Sequence, residues 1–216
     1  MKSIDQFLQE GYSKKTNVYH YSLKPYKQVK NMMAQNPNPD EKKIAEWKEL
    51  DKDAKFRSDL PYYKHISLAL DPLPFDIIMS NKFAKDHKIW KKGSVFYEHV
   101  ISINDIPTNT PWKMVETPFD MFMADNLWFE QDMYKRVYFK FRKFSKIISG
   151  LQANSTKHLA NKILKYQGSY DERFRGLANR KDFDELKNKY MPTIPHLFVY
   201  PEDGIIKVRS VKKIQL

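Results

Sequence analysis

The run SVFYEHVISI at residues 94–103 is the clearest strand in the chain. Branched and aromatic side chains fill it, and these suit a pleated, half-buried surface. Its alternation sets Phe96, Glu98 and Val100 on one side and Tyr97, His99 and Ile101 on the other, without deciding which side is buried. Upstream, NVYHYS (17–22) and YYKHISLAL (62–70) have the same character, and the second is stopped by Asp71-Pro72-Leu73-Pro74. Downstream, Trp112–Thr117 is a further short strand, ended by Pro118. Between these runs, Pro25 opens a short helix to about Met33, and another begins at Phe75. Residues 40–55 predict a surface helix capped by Asp40, with Ile44, Trp47 and Leu50 facing inward.

After residue 130 the pattern changes. Tyr134, Val137, Tyr138, Phe141, Phe144, Ile148 and Leu151 keep helical spacing, which predicts one long helix over Gln131–Leu151. Helices over Ser155–Gln167, stopped by Gly168, and over Asp182–Tyr190 follow. The end returns to β: His196–Tyr200 and Ile205–Ile214 flank Pro201-Glu202-Asp203-Gly204, which predicts a hairpin. Strands, then helices, then a hairpin predict an α+β fold. Its expected parts are a small mixed or antiparallel sheet, a basic C-terminal helical subdomain and a terminal β-hairpin. The implied divisions are an N-terminal helix at 1–11, a core at 12–132, and a basic part at 133–216 that returns to the core.

Charge supports that division. The 216 residues carry a net charge of +12, and residues 133–216, with 19 basic and 7 acidic side chains, hold all of it. Such asymmetry implies an anionic partner for the charged half. There is no Cys, hence no disulfide, thiol nucleophile or Cys-ligated zinc. The closest pair among the six glycines, Gly168 and Gly176, is too far apart for a P-loop or GxGxxG motif. No apolar run approaches the ~18 residues of a membrane span.

MKSIDQFLQE (1–10) is a short amphipathic pattern with a capping box from Ser3 to Gln6. It ends in Leu8-Gln9-Glu10-Gly11. That ending resembles the prohead-protease site of T4-like tailed phages, and the whole segment resembles the capsid-targeting leader of their internal head proteins. The resemblance implies cleavage between Glu10 and Gly11, docking of the helix on a capsid scaffold, and residence in the virion interior before release into host cytoplasm. An ordinary helix docked on the domain accounts for the same residues.

Tyr19-His20-Tyr21-Ser22 on the first strand, followed by a strand beginning Tyr62-Tyr63 and carrying Ser67, resembles the His-Tyr-acid branch of the ADP-ribosyltransferase superfamily. The resemblance implies an NAD-dependent mono-ADP-ribosyltransferase acting on a host protein. His20, Ser22 and Ser67 would hold NAD, Tyr62 or Tyr63 would stack on nicotinamide, and Glu116 or Glu98 would be the acid that stabilises an oxocarbenium-like transition state. The structural alternatives are a hydrogen-bonded core histidine and a carboxylate at the turn into Pro118. His20-Tyr21-Ser22-Leu23 and His65-Ile66-Ser67-Leu68 also resemble the paired motifs of 2H phosphoesterases, in which two imidazoles act as base and acid.

From Met133 to Tyr170 there are nine basic residues and no acid. Lys135, Arg136, Lys140, Arg142, Lys143 and Lys146, continued by Lys157, Lys162 and Lys165, form a candidate phosphate-binding surface. No sequence-reading module accompanies it, so contact with nucleic acid is expected to be non-specific. A solvated face that aids solubility is the alternative. His87, His99, His158 and His196 share no ligand spacing, and no metal is expected. Two function classes follow: the transferase, or a non-enzymatic DNA-associated head protein or inhibitor of a host defence enzyme.

Overall fold

The computed structural model describes residues 17–54, 61–73, 93, 95–118, 146–153, 159–168 and 193–215. Among these residues nine strands fall in two sheets: β1 (Asn17–Ser22), β2 (Gln28–Lys30), β3 (Ile66–Ala69), β4 (Val95–Ser102), β5 (Trp112–Pro118), β6 (Lys146–Ala153), β7 (Thr193–Val199), β8 (Ile205–Lys207) and β9 (Ser210–Gln215). The helices are α1 (Met32–Gln35), α2 (Glu41–Ala54) and α3 (Leu159–Tyr166), with 3-10 turns at Tyr62–Lys64 and Ile103–Asp105. The main sheet runs β6-β5-β7-β3-β1-β4-β9 and every strand pairing among the described residues is antiparallel, while β2 and β8 form a separate ribbon. The fold is α+β with an antiparallel sheet. That sheet interleaves strands from both sides of residue 132.

The pleat and the register define its two faces. Tyr21 lies opposite Glu98, Tyr19 opposite Ala69, and Ser67 opposite Phe198, which in turn lies opposite Lys113. These residues share one face. Val18, His20, Leu68, His99, Ile101, Leu197 and Met114 share the other. Both faces are buried at the centre: Val18, Tyr21, Leu68, Ile101, Met114, Leu197 and Phe198 are inaccessible to solvent. Burial on both sides explains why the strands read as continuous apolar and aromatic runs.

Several expected elements differ. The segment 25–33 contains β2 instead of a helix, and only the single turn α1 follows it, with Asn31 as N-cap. Tyr62–Lys64 is a 3-10 turn, so β3 begins later than the YYKH run suggests. Residues 146–153 form strand β6, not the end of a long helix; Lys146, Ile147, Gln152 and Ala153 pair with β5 on either side of a register shift, and Gly150 is a poor helix former. The 201–204 turn exists, with Gly204 at φ +71, but its arms do not pair with each other. β7 lies between β3 and β5, while β8 leaves for β2 and β9 for β4. Long-range partners thus outcompete the hairpin. In α2, Asp40 caps through Lys43 N–H (2.7 Å) and Trp47 is buried against Tyr63, as the sequence implies, whereas Ile44 is exposed. The leader-like segment 1–11, the helix from Phe75, residues 131–145 and the 182–190 helix lie outside the described residues. Among the described residues no helix is long and apolar enough to cross a membrane.

Asn31 joins the ribbon to the rest. Its side chain accepts from Ala34 N–H and donates to the Lys64 carbonyl, each at 2.8 Å, and its own N–H donates to the Gly204 carbonyl at 2.8 Å. A Cβ on Gly204 would sit 2.5 Å from Asn31 Oδ1, so both close approach and positive φ select glycine there.

Candidate functional site

Glu98 and His20 sit on neighbouring strands but on opposite faces. Glu98 is buried and accepts from the Tyr21 hydroxyl at 2.7 Å; the same hydroxyl accepts from Leu73 N–H at 2.8 Å. Burial, with the Glu98 charge beside it, pushes the Tyr21 phenol well up, so it stays a neutral donor. On the other face, His20 Nδ1–H donates to the Ser67 carbonyl at 3.1 Å. Burial pushes its pKa down to about 4, and the His99 imidazole acts in the same direction. His20 is therefore a neutral structural donor at pH 7.

His99 continues that line. Its Nδ1–H donates to the His20 carbonyl at 3.2 Å, and its Nε2 accepts from Tyr26 N–H at 3.0 Å. This pair of bonds fixes the neutral tautomer, and burial lowers the pKa. The Tyr26 ring stacks on the imidazole, with centroids 5.7 Å apart and planes 24° apart. Ser22 Oγ donates to the Lys24 carbonyl at 2.5 Å, and Val208 N–H donates to the Lys27 carbonyl at 3.1 Å. The segment Leu23–Lys27 is thus tied at three points, beside Tyr97 and the edge strand β9.

The predicted NAD residues do not converge. Tyr63 stacks on Trp47 of α2 (5.6 Å, 16°), away from His20. Ser22 shapes the 23–27 segment, and Ser67 is buried on the Glu98 face. Tyr62 lies on the 3-10 turn. Glu116 lies on β5, three strands from β1, which is roughly 14 Å at the usual strand spacing. His20 and His65 do not face one another: His65 packs on Phe198 (4.0 Å) and Tyr200 (6.2 Å), on the face opposite His20. Among the described residues no three His, Asp or Glu side chains cluster as metal ligands would.

Of the predicted basic surface, Lys162 and Lys165 lie on α3, where Lys165 Nζ sits 5.8 Å from the Tyr166 ring centre. Lys146 opens strand β6. Lys135, Arg136, Lys140, Arg142, Lys143 and Lys157, like Glu10 and Gly11, lie outside the described residues. A different basic surface is visible. Residues 22–30 and 205–215 carry three and four basic side chains and no acid. The chain brings them together, because β2 pairs with β8 and the 23–27 segment is tied to Val208 and His99. Lys24, Lys27, Lys30, Lys207, Lys212 and Lys213 are exposed, and none forms an ion pair with a described residue. Arg209 is bound to Asp105, with its Nε at 2.6 Å. Lys213 is opposite Tyr97 in register, and Tyr97 is opposite Ser22. A count of acid-free windows outside 133–170 would have found this surface in the sequence. Its assembly from segments some 180 residues apart would not have been visible.

No family model, curated protein or solved structure matches this chain.

Proposed function

We propose that the protein is a non-enzymatic nucleic-acid-binding protein that holds phosphate backbone at the corner formed by residues 22–30, the β2–β8 ribbon and β9. The observation that carries this reading is the set of six exposed lysines, drawn from two acid-free segments, without a carboxylate partner among the described residues. Cations concentrated in this way bind a polyanion by releasing its counterions. The structural engagement of His20, Glu98 and Tyr63 supports binding over NAD chemistry. Residence among packaged DNA, which the leader-like N-terminus implies, fits the same reading.

The test is fluorescence anisotropy with labelled oligonucleotides between 50 and 200 mM salt. If each of the six lysines meets one phosphate, they contribute a slope of log affinity against log salt of about −4 on a single strand and about −5 on a duplex. Replacing Lys207, Lys212 and Lys213 by Ala should flatten the slope by about 2 to 3. Salt-insensitive binding, or a slope unchanged in that variant, would remove the proposal.

A further inference from the structure

We infer that the preferred ligand of this surface is single-stranded nucleic acid, with one base stacked on the Tyr26 ring; this rests on the binding reading above. Phosphate attraction alone does not distinguish strands, but an immobilised exposed aromatic does. Tyr26 is 44 % exposed although one side of its ring covers His99. Its backbone is pinned by the His99 imidazole, and its neighbours are pinned through Ser22 and Val208. Little side-chain entropy is left to lose when a base lands on it. Lys24 and Lys27 flank it in sequence, and Lys213 lies on the same sheet face as His99, two residues from Val211, the register partner of His99. A base on Tyr26 would therefore have cations on both sides for its phosphates.

A duplex fits less well. Its bases are already stacked, and the β2–β8 ribbon is not free to enter a major groove. Each of its strands has three residues, and Val29 and Ile206 are buried against the body. A flat membrane surface would need apolar side chains projecting outward together. In segments 22–30 and 205–215 the large exposed apolar side chains are Leu23, Tyr26 and Val211, and they stand among six exposed lysines.

The experiment compares a labelled 15-nucleotide single strand, its duplex and anionic phosphatidylserine vesicles, with a 2-aminopurine in mid-strand reporting stacking. The proteins are wild type, Tyr26→Ala, Tyr26→Phe and the triple variant Lys27→Ala, Lys207→Ala, Lys213→Ala. Tyr26→Ala keeps the backbone donor to His99, so the segment's anchor survives. The expected result is single-strand affinity about 5- to 150-fold weaker in Tyr26→Ala, near wild type in Tyr26→Phe, with aminopurine quenching lost only in the first. Duplex affinity should depend on the lysines and not on Tyr26. Unchanged single-strand binding in Tyr26→Ala, with binding lost in the triple variant, would overturn this inference and leave the binding reading standing. Unchanged binding in both variants would overturn both. Tyr26-dependent binding to vesicles without oligonucleotide binding would also overturn both.

Discussion

Acidification from pH 8 to pH 5 should cost this protein about 4 kcal/mol of folding stability, because two histidines, the buried His196 and the half-buried His20, are held in neutral form. His20 is held down to about 4, by burial and then by His99, and His196 to about 3, by burial and then by His65. In the unfolded chain both return to the ordinary value of 6.5. Well above pH 6.5 both are neutral in either state, and the stability is complete. As the pH falls from 6.5 towards 4, the unfolded chain takes up protons that the folded chain refuses, and stability drops. At pH 5 each site accounts for about 2 kcal/mol. His99, whose pKa is also lowered, adds to the loss. Urea unfolding followed by circular dichroism at pH 8, 6.5 and 5 reads this directly. At a typical slope of about 2 kcal/mol/M, the midpoint should fall by about 2 M. His20→Asn places an amide donor where Nδ1–H meets the Ser67 carbonyl, and should recover about half of the acid loss. A midpoint constant from pH 8 to pH 5, or an equal loss in His20→Asn, would refute the reasoning.

Three further outcomes follow from single contacts. Tyr21→Phe removes the hydroxyl shared by Glu98 and Leu73 N–H, leaving both buried groups short of a partner; it should destabilise by about 2–4 kcal/mol in the same assay. Gly204→Ala puts a methyl against Asn31 at positive φ and should cost at least 1 kcal/mol, with the Asn31 amide shift moving in nitrogen–proton spectra. Protonating His99 places an N–H against Tyr26 N–H, so the Tyr26 amide should gain hydrogen-exchange rate at a pH below the ordinary histidine range. An exchange rate without that extra acid dependence would show that the 23–27 segment is held by other contacts.

The strands legible in the sequence were those whose branched and aromatic runs are long and sharply ended. SVFYEHVISI and NVYHYS became β4 and β1, paired over six residues. β6 was not legible because the aromatic stripe of 134–144 continues at helical spacing into Ile148 and Leu151, and only pairing with β5 decides against a helix. The terminal hairpin failed for the same reason: the turn residues were right, but local turn chemistry does not report which strands lie closer in space. Pro25 suggested a helix start, yet its neighbours are held by His99 and Val208, over 70 residues away or more. For the site, alternation put Glu98 and His99 on opposite sides of β4 but gave no face to either. The Tyr21 hydroxyl and the His20 carbonyl supply that information, and both depend on strand register.

The strand order also bears on how the chain is made. β5 ends at residue 118, and the strand that joins it to β3 begins at residue 193. Some 75 residues must emerge before β3 and β5 are bridged, about 4 to 15 s at ordinary synthesis rates. Throughout that interval β3 offers Ile66 and Leu68 along an unpaired edge, a template for misassembly with a neighbouring nascent chain. Chains stopped before residue 193 should therefore aggregate instead of forming a smaller soluble unit, and the yield of intact protein should depend on chaperones that cover strand edges during translation.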